Sequence, residues 1–337
     1  KYLEEYTGLS VREVPLDDPG VMSLFRSPEA LDLEEEFVET GSLGLPEFGT
    51  SFVRGMLIET KPKVFSDLIR ISGFSHGTDV WLNNARDLIV GGKVELREAI
   101  STRDDIMMYL MEKGLPDVAA FKIMEDVRKG KGLTPEYEAL MTEHKVPSWY
   151  IDSCKKISYM FPKAHATAYV VMAFRLGYYK LYHKEAFYAA YFSVRGNLFD
   201  IRIFQDLPKI KGGMERIQTR KKLEGSLTAV EKELLGLLEI GCEMHLRGVA
   251  FGPISLERSL PRRFLIQDGL LIPPFSAIPG LGEKVGAAIA RERDISPFLS
   301  VEDLKRRCKI NQTVLEEMRE LGLFQDLPES EQLALFS

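Results

Sequence analysis

One segment of the sequence, residues 159–169, most constrains what the chain can fold into. A proline near its start marks a break, and from residue 163 to 175 apolar side chains recur at spacings of three and four. Such spacing indicates one face of an α-helix. Lys163 then stands before the first turn, and His165 and Tyr169 share a face. The segment therefore predicts a cation, a protonatable ring and a flat aromatic ring in order along one helix edge.

The chemistry of this helix edge has two interpretations. Phosphate oxygens pair with Lys or His, and a planar ring is a stacking partner for a base, so the edge suits a nucleotide. An ordinary amphipathic helix accounts for the same pattern, with Tyr169 packed in a core and His165 capping a carbonyl. The pattern of this one helix leaves both open.

Helical periodicity and capping patterns dominate residues 50–188 and residues 228–246. Because 337 residues exceed what one hydrophobic core usually serves, we expect two or three domains. The sequence predicts a mainly α, multi-domain fold with few short strands. The non-helical stretches are expected to be a glycine-flanked polar loop at 72–78, an irregular connector at 196–222 with a possible short strand at 201–204, and a β-like or loop passage at 248–272.

A second informative feature is the tight turn at residues 279–282, where Gly280 and Gly282 flank Leu281 ahead of a small-residue helix. This is the pattern of a helix-hairpin-helix, in which backbone N–H groups and the next helix N-terminus face a DNA phosphate. Leu281 is expected to pack inside the hairpin, and Lys284 adds charge. Residues 300–323 read as a degenerate partner unit. A plain turn between two helices remains the alternative.

Charge is distributed unevenly along the chain. Residues 1–50 carry three basic and twelve acidic side chains, whereas residues 141–222 carry fifteen basic and six acidic ones. A net charge of −6 therefore does not argue against nucleic-acid binding, because binding depends on the local electrostatic field.

The sequence contains no P-loop motif, no dinucleotide-binding motif, no hydrolase signature and no metal-ligand spacing.

The sequence also indicates the cellular compartment of the protein. The three cysteines lie far apart without metal or disulfide spacing, no apolar run is long enough to cross a membrane, and the N-terminal residues do not form a signal peptide. We expect a cytoplasmic protein with no membrane partner.

The last residues form the third feature. A polar stretch precedes residues 332–337, where two leucines and a phenylalanine follow a glutamine. Apolar side chains at the end of a polar tail are typical of a short peptide that fills a pocket on a partner. Docking onto the chain's own core explains the same pattern.

Taken together, these strings resemble the C-terminal part of C-family replicative DNA polymerases, and more closely the PolC type, the polymerase III alpha subunit of low-GC Gram-positive bacteria. The resemblance covers nearly the whole chain. The strings that carry it are residues 44–50, 71–81, 103–107, 121–132, 161–188, 272–275 and 278–282.

The resemblance implies a division of the chain and its activity. Residues 1–50 would be a palm edge, 51–210 the fingers, 211–326 a duplex-binding module with the helix-hairpin-helix, and 327–337 a tail for the sliding clamp. The expected function is a portion of a DNA-directed DNA polymerase, a nucleotidyltransferase. The family's magnesium-binding aspartates are not found here. Mg²⁺ is therefore expected to be bound by other parts of the complete enzyme, and the chain alone is expected to be inactive.

The resemblance also assigns roles to individual residues. For the incoming dNTP, phosphate would be bound by Lys163 and Arg103, sugar or base by His165 and Tyr169, and the nascent base pair would lie near Ser75, His76 and Phe161. Primer–template DNA would be bound by Arg128, Lys129, Lys131, Gly280, Gly282 and Lys284. The sliding clamp would be bound by Gln332, Leu333, Leu335 and Phe336. Other replisome proteins and the remaining polymerase domains are expected partners.

Two other classes of protein compete with this interpretation. A non-catalytic helix-hairpin-helix scaffold that binds DNA explains the last third but leaves the edge from Lys163 to Tyr169 without a role. A repair nuclease or glycosylase would need its own acidic or lysine centre near the hairpin. Asp294 alone does not supply one.

Overall fold

The computed structural model describes residues 1–34 and 37–330, and this part of the chain is mainly helical. It contains seventeen α-helices and three short strands, which confirms the expected fold class. Two compact units are present. We call residues 12–181 the central unit, and residues 1–11 with those from 182 onward the terminal unit.

The central unit is entirely helical in its regular structure. Its helices are α2 Pro19–Ser23, α3 Ser51–Thr60, α4 Phe65–His76, α5 Arg86–Val90, α6 Arg103–Glu112, α7 Asp117–Arg128, α8 Pro135–Glu143, α9 Ser148–Lys156 and α10 Lys163–Tyr182, whose last residue begins the terminal unit. The helix predicted from the 163–175 pattern is therefore present, and Lys163 is its first residue.

A buried cation ties the far end of α10 to an irregular segment of the same unit. Lys180 is 0% exposed, and its Nζ donates hydrogen bonds to the carbonyl oxygens of Gly41 at 2.8 Å and Leu43 at 2.6 Å. A buried ammonium group requires such partners, because its desolvation is otherwise very costly. These bonds hold the segment that leads to Glu47 against α10.

The polar loop predicted at residues 72–78 is wrong for most of its length, because α4 continues through His76. Gly73 lies within the helix, and it has a packing role. A Cβ on Gly73 would lie 2.7 Å from the carbonyl oxygen of Ser101 and 2.9 Å from Thr102 Cγ2. The glycine lets α4 approach the residues that immediately precede α6.

The terminal unit adds helices and the only sheet of the described residues. Its elements are α1 Tyr2–Thr7, α11 Lys184–Arg195, α12 Ile201–Phe204, α13 Leu207–Glu224, α14 Ala229–Leu246, β1 Ala250–Phe251, β2 Leu265–Gln267, β3 Leu270–Ile272, α15 Glu283–Ile295, α16 Val301–Cys308 and α17 Gln312–Glu320. The strand order is β1-β3-β2, with β1 parallel and β2 antiparallel to β3. The β-like passage predicted at 248–272 is confirmed.

The irregular connector and short strand predicted within residues 196–222 are wrong. Residues 201–204 form α12, whose first turn is capped by the Asp200 carboxylate accepting from Arg202 N at 2.9 Å. Phe204 then enters a buried group of five aromatic rings, which are those of Phe192, Phe199, Phe204, Phe251 and Phe264. Burial of these rings outweighs the strand preference of a β-branched run.

Glycine in α13 likewise serves packing instead of ending the helix. A Cβ on Gly213 would lie 3.2 Å from Leu238 of α14, so the glycine allows the two helices a close approach.

Among the described residues, no helix is long and apolar enough to cross a membrane.

Two of the helical glycines of the central unit, Gly55 and Gly73, give a matched test of this packing. Gly55, within α3, would place a Cβ in open space. We expect Gly55→Ala to raise the free energy of unfolding by about 0.5–1 kcal/mol, because alanine favours helix. Gly73→Ala should instead lower it by about 1–3 kcal/mol, because the added methyl overpacks against a backbone carbonyl. Denaturant unfolding of both variants measures the difference, and stabilisation by both would contradict the packing role of Gly73.

Candidate functional site

The first residues of α6 and α10 are joined by two hydrogen bonds. Lys163 N donates to Asp104 Oδ2 at 2.6 Å, and Arg103 N donates to the carbonyl oxygen of Phe161 at 3.2 Å. The side chain of Lys163 is exposed, and it lines a cleft of about 520 Å³ together with Asp104 and Tyr109. The two helix N-termini therefore meet, with the side chain of Lys163 in the cleft and the guanidinium of Arg103 3.9 Å from Glu125 of α7.

An aromatic cluster begins at this junction and follows α10. Phe161 stacks on His165 with ring centroids 4.9 Å apart and an interplanar angle of 17°, and His165 meets Tyr169 edge to face at 4.8 Å. The ring of His76, from the last turn of α4, lies 5.0 Å from Tyr169 and 5.3 Å from His165. Tyr159 adds a fifth ring, 5.1 Å from Phe161. We call these five residues the aromatic cluster.

His76 is oriented by contacts at both ring nitrogens. Its Nδ1 lies 2.6 Å from the carbonyl oxygen of Ser72, and its Nε2 lies 3.3 Å from Glu47 Oε2. Both nitrogens thus face acceptors, which fixes the plane of the ring. Ser75 lies in the same helical turn, where its hydroxyl donates to the Ser72 carbonyl at 2.9 Å. Its Oγ also lies 3.4 Å from His76 Nδ1.

A carboxylate gathers the cations beside the aromatic cluster. Glu125 on α7 pairs with Arg128, with Lys129 at 2.8 Å and with Arg103 at 3.9 Å. Hydrogen bonds from Arg128 and then Lys129 lower the pKa of the Glu125 carboxyl from its ordinary value of 4.5 to about 2. We call these four residues the Glu125 cluster. Lys131 pairs separately with Asp126 at 3.0 Å.

The structure thus groups the predicted site residues differently from the sequence. The resemblance assigns Arg103 to nucleotide phosphate and Arg128 and Lys129 to DNA, yet all three cations meet at Glu125. Sequence reasoning missed Glu47, Asp104 and Glu125. For Glu125 a signal existed, because its spacing of three and four to Arg128 and Lys129 predicts ion pairs on one helix face. The contacts of Glu47 and Asp104 join distant parts of the chain and leave no local signal.

The predicted hairpin turn lies in the terminal unit. Gly280 has φ +74°, in the left-handed region that favours glycine, and Gly282 is the N-cap of α15. Leu281 is buried in the core that α15, α16 and α17 share, as expected from the sequence. The backbone of Gly282 and the side chain of Lys284 are exposed.

The degenerate partner unit also forms a helical hairpin. Lys309 follows α16 in the left-handed region with φ 55°, and Asn311 caps α17 by accepting from Val314 N at 2.9 Å. Here a side-chain cap replaces the glycine turn of the first hairpin. The predicted clamp-binding residues, Gln332, Leu333, Leu335 and Phe336, lie outside the described residues.

Two parts of the chain match known protein families. Residues 2–145 match the family described as the bacterial DNA polymerase III alpha subunit finger domain, and residues 248–334 match a helix-hairpin-helix motif. The chain is 51% identical to the PolC-type DNA polymerase III of Caldanaerobacter subterraneus subsp. tengcongensis, 50% identical to that of Bacillus subtilis and 48% identical to that of Thermotoga maritima. Each match covers 100% of this chain and 23–24% of the relative.

These matches, with the helical fold and the two hairpins, define the class as bacterial DNA polymerase III alpha subunits. Within that class, the chain belongs to the PolC-type DNA polymerase III family. It spans about a quarter of the length of the curated relatives that it matches.

The low pKa of Glu125 predicts how pH affects the Glu125 cluster. Because the folded-state pKa lies below the ordinary value of 4.5, the pairing contributes stability above pH 4.5 and loses it as the pH falls toward 2. We expect the difference in unfolding free energy between the wild type and Glu125→Gln to be constant above about pH 5 and to shrink below pH 4.5.

Denaturant unfolding of both proteins across this pH range measures that difference. A difference that stays unchanged as the pH falls from 4.5 toward 2 would show that Glu125 does not titrate in this window.

Proposed function

We propose that this chain is the nucleotide-binding and DNA-binding portion of a replicative DNA-directed DNA polymerase. The observation that carries the proposal is the junction of α6 and α10. There Lys163 and Arg103 stand beside two helix N-termini, and the aromatic cluster begins at the same point. Cations suit phosphate oxygens, and aromatic rings suit a base or sugar.

The incoming dNTP would bind along the first turns of α10. Lys163 and Arg103 would hold its phosphates, and His165 and Tyr169 would contact its sugar or base. His76, Phe161 and Ser75 would lie near the nascent base pair. The contacts of His76 with Ser72 and Glu47 support this arrangement, because a ring held at both nitrogens keeps a defined surface toward a ligand.

Primer–template DNA would contact two further surfaces. In the central unit, Arg128, Lys129 and Lys131 would bind backbone phosphates. In the terminal unit, the exposed turn at Gly280 and Gly282 would approach a duplex phosphate, with Lys284 nearby. Such contacts position DNA without reading its sequence.

We also propose the division of the chain by role. Residues 1–50 would be the palm edge, 51–210 the fingers, 211–326 the duplex-binding module, and 327–337 the clamp-binding tail. The proposed fingers include residues 182–210, which are part of the compact terminal unit of the structure.

Polymerase chemistry implies a divalent metal ion, and we propose Mg²⁺. Among the residues that the structure describes, no group of three or more His, Cys, Asp and Glu side chains could hold a metal. The described residues therefore do not fit a metal site, and the ion would be bound by aspartates of other parts of the polymerase. The role proposed for this chain is to bind and orient its substrates.

The proposed partners are the other polymerase domains, replisome proteins and a sliding clamp. The apolar residues of the tail, Leu333, Leu335 and Phe336, would fill a pocket on the clamp together with Gln332. Tethering polymerase and clamp to one DNA would raise the effective concentration of each for the other. Replication of the bacterial chromosome would place the protein in the cytoplasm.

The nucleotide site is tested by Lys163→Ala in the complete polymerase that carries this chain. Loss of one charge-assisted phosphate contact costs roughly 1.5–3 kcal/mol, so kcat/KM for dNTP should fall about 10- to 150-fold while DNA affinity changes little. Lys232→Ala, which removes an exposed lysine of α14, is the control. Unchanged nucleotide kinetics in Lys163→Ala would remove Lys163 from the proposed nucleotide site.

The hairpin is tested by Gly282→Val. Gly282 has φ −69° and open space around its Cβ position, so valine fits the fold but would block a phosphate from the backbone. We expect weaker duplex binding by a similar factor for unrelated DNA sequences, measured by fluorescence anisotropy.

Gly280→Val is unsuitable alone, because its positive φ makes any side chain strain the turn. Circular dichroism of Gly282→Val should match the wild type. Either unaltered duplex affinity or a strongly sequence-dependent loss would contradict the proposed contact.

A further inference from the structure

Two exposed aromatic side chains flank the Glu125 cluster, and neither has a role in the proposed nucleotide site. Tyr159 is 43% exposed although it lies against Phe161 of the aromatic cluster. Phe121 is 52% exposed on α7. It lies four residues before Glu125 and seven before Arg128, so these three side chains share a helix face.

The backbone at Tyr159 is held on two sides. Its carbonyl accepts from Thr78 N at 2.9 Å, and its own N–H donates back to Thr78 O at 3.3 Å. On the other side, Met160 N donates to the carbonyl oxygen of Arg128 at 3.2 Å. The exposed ring is therefore carried by a fixed backbone beside the cations. Single exposed aromatics are common on protein surfaces, but a ring held in this way loses little conformational entropy when a ligand stacks on it.

Charge at this surface favours a polyanion. Residues 121–132 carry four basic side chains and two carboxylates, and Arg103 joins them at Glu125. Cations would suffice for a duplex, whose bases are already stacked on one another and offer no free face. Aromatic side chains between cations are the arrangement by which proteins bind single strands, because bases stack on the rings while the backbone follows the charges.

We propose that Tyr159 and Phe121, with Arg128 and Lys129 of the Glu125 cluster, form a subsite for an unpaired segment of the template strand. Tyr159 stacks on one base, Phe121 stacks on another, and Arg128 and Lys129 bind the phosphates. The inference rests on the proposed function, because it requires template DNA at these cations. It goes further by assigning the strand and two residues that contact its bases.

The experiment uses the complete polymerase and two DNA substrates with the same duplex. One has an unpaired template extension of about six nucleotides, and the other is blunt. We expect Tyr159→Ala to weaken binding of the extended substrate about tenfold, and Phe121→Ala to weaken it several-fold. Affinity for the blunt duplex should not change. Tyr159→Phe, which keeps the aromatic face, should bind like the wild type.

A spectroscopic readout reports stacking directly. A 2-aminopurine base placed in the unpaired template loses fluorescence when it stacks on an aromatic ring. The wild type and Tyr159→Phe should quench this probe, and Tyr159→Ala should not. Phe52→Ala removes an aromatic side chain of α3 that is 47% exposed, and we expect this control variant to bind and quench like the wild type.

Three results would overturn the inference. Equal loss of affinity for blunt and extended DNA would show a general effect on folding or duplex binding. A raised KM for dNTP with unchanged affinity for extended DNA would assign Tyr159 to the nucleotide site. Loss of affinity in Arg128→Ala but not in Tyr159→Ala or Phe121→Ala would leave a phosphate site without stacking. In that last case the proposed polymerase function stands. Unchanged nucleotide kinetics in Lys163→Ala would instead remove the proposed nucleotide contact and would leave the template subsite to be decided by the DNA-binding results.

Discussion

The hydrogen-bonded junction between the first residues of α6 and α10 is the constraint on which the candidate site depends. Lys163 N is bound by Asp104, and Arg103 N is bound by the carbonyl of Phe161. Because one acceptor lies in α6 and the other lies just before α10, neither start can move alone. The positions of both cations and of the first ring of the aromatic cluster follow from this junction. Gly73 extends the constraint to α4, since only a residue without a Cβ allows that helix so close to Ser101.

Glu125 explains how several cations can stand close together before any ligand arrives. Arg103, Arg128 and Lys129 would repel one another, and a shared carboxylate offsets that repulsion. The pairs are partly exposed, so their contribution to stability is small. Their main effect is to hold the guanidinium and ammonium groups in place. In the proposed function, a DNA phosphate would compete with the carboxylate for cations that are already positioned.

The two surfaces proposed for DNA use different parts of the polypeptide. At the hairpin turn, the exposed backbone of Gly282 and the start of α15 are available, and the left-handed φ of Gly280 sets the turn. At the Glu125 cluster, side chains carry the charge and the flanking rings offer flat faces. A backbone site of this kind suits the regular phosphates of a duplex, and cations with aromatic rings suit a strand with unpaired bases.

The sequence by itself determined the helical fold, the face shared by His165 and Tyr169, and the glycine turn ahead of α15. These features depend on spacings of a few residues, which helix geometry and glycine conformation translate directly into local structure. The predictions from sequence were wrong at α12 and at the end of α4, because tertiary packing overrode the local preference there. Burial of Phe204 favoured a helix over a strand, and Gly73 served close packing within a helix instead of a loop.

Only the tertiary structure decided which distant residues complete the site. Asp104 meets Lys163 across 59 positions of the chain, Glu47 reaches His76 from another segment, and Arg103 shares Glu125 with the cations of α7. No local pattern encodes such contacts, because they arise from how the helices of the central unit pack. Two sets of cations that the sequence assigned to separate ligands are therefore adjacent, since packing places the start of α6 beside the end of α7.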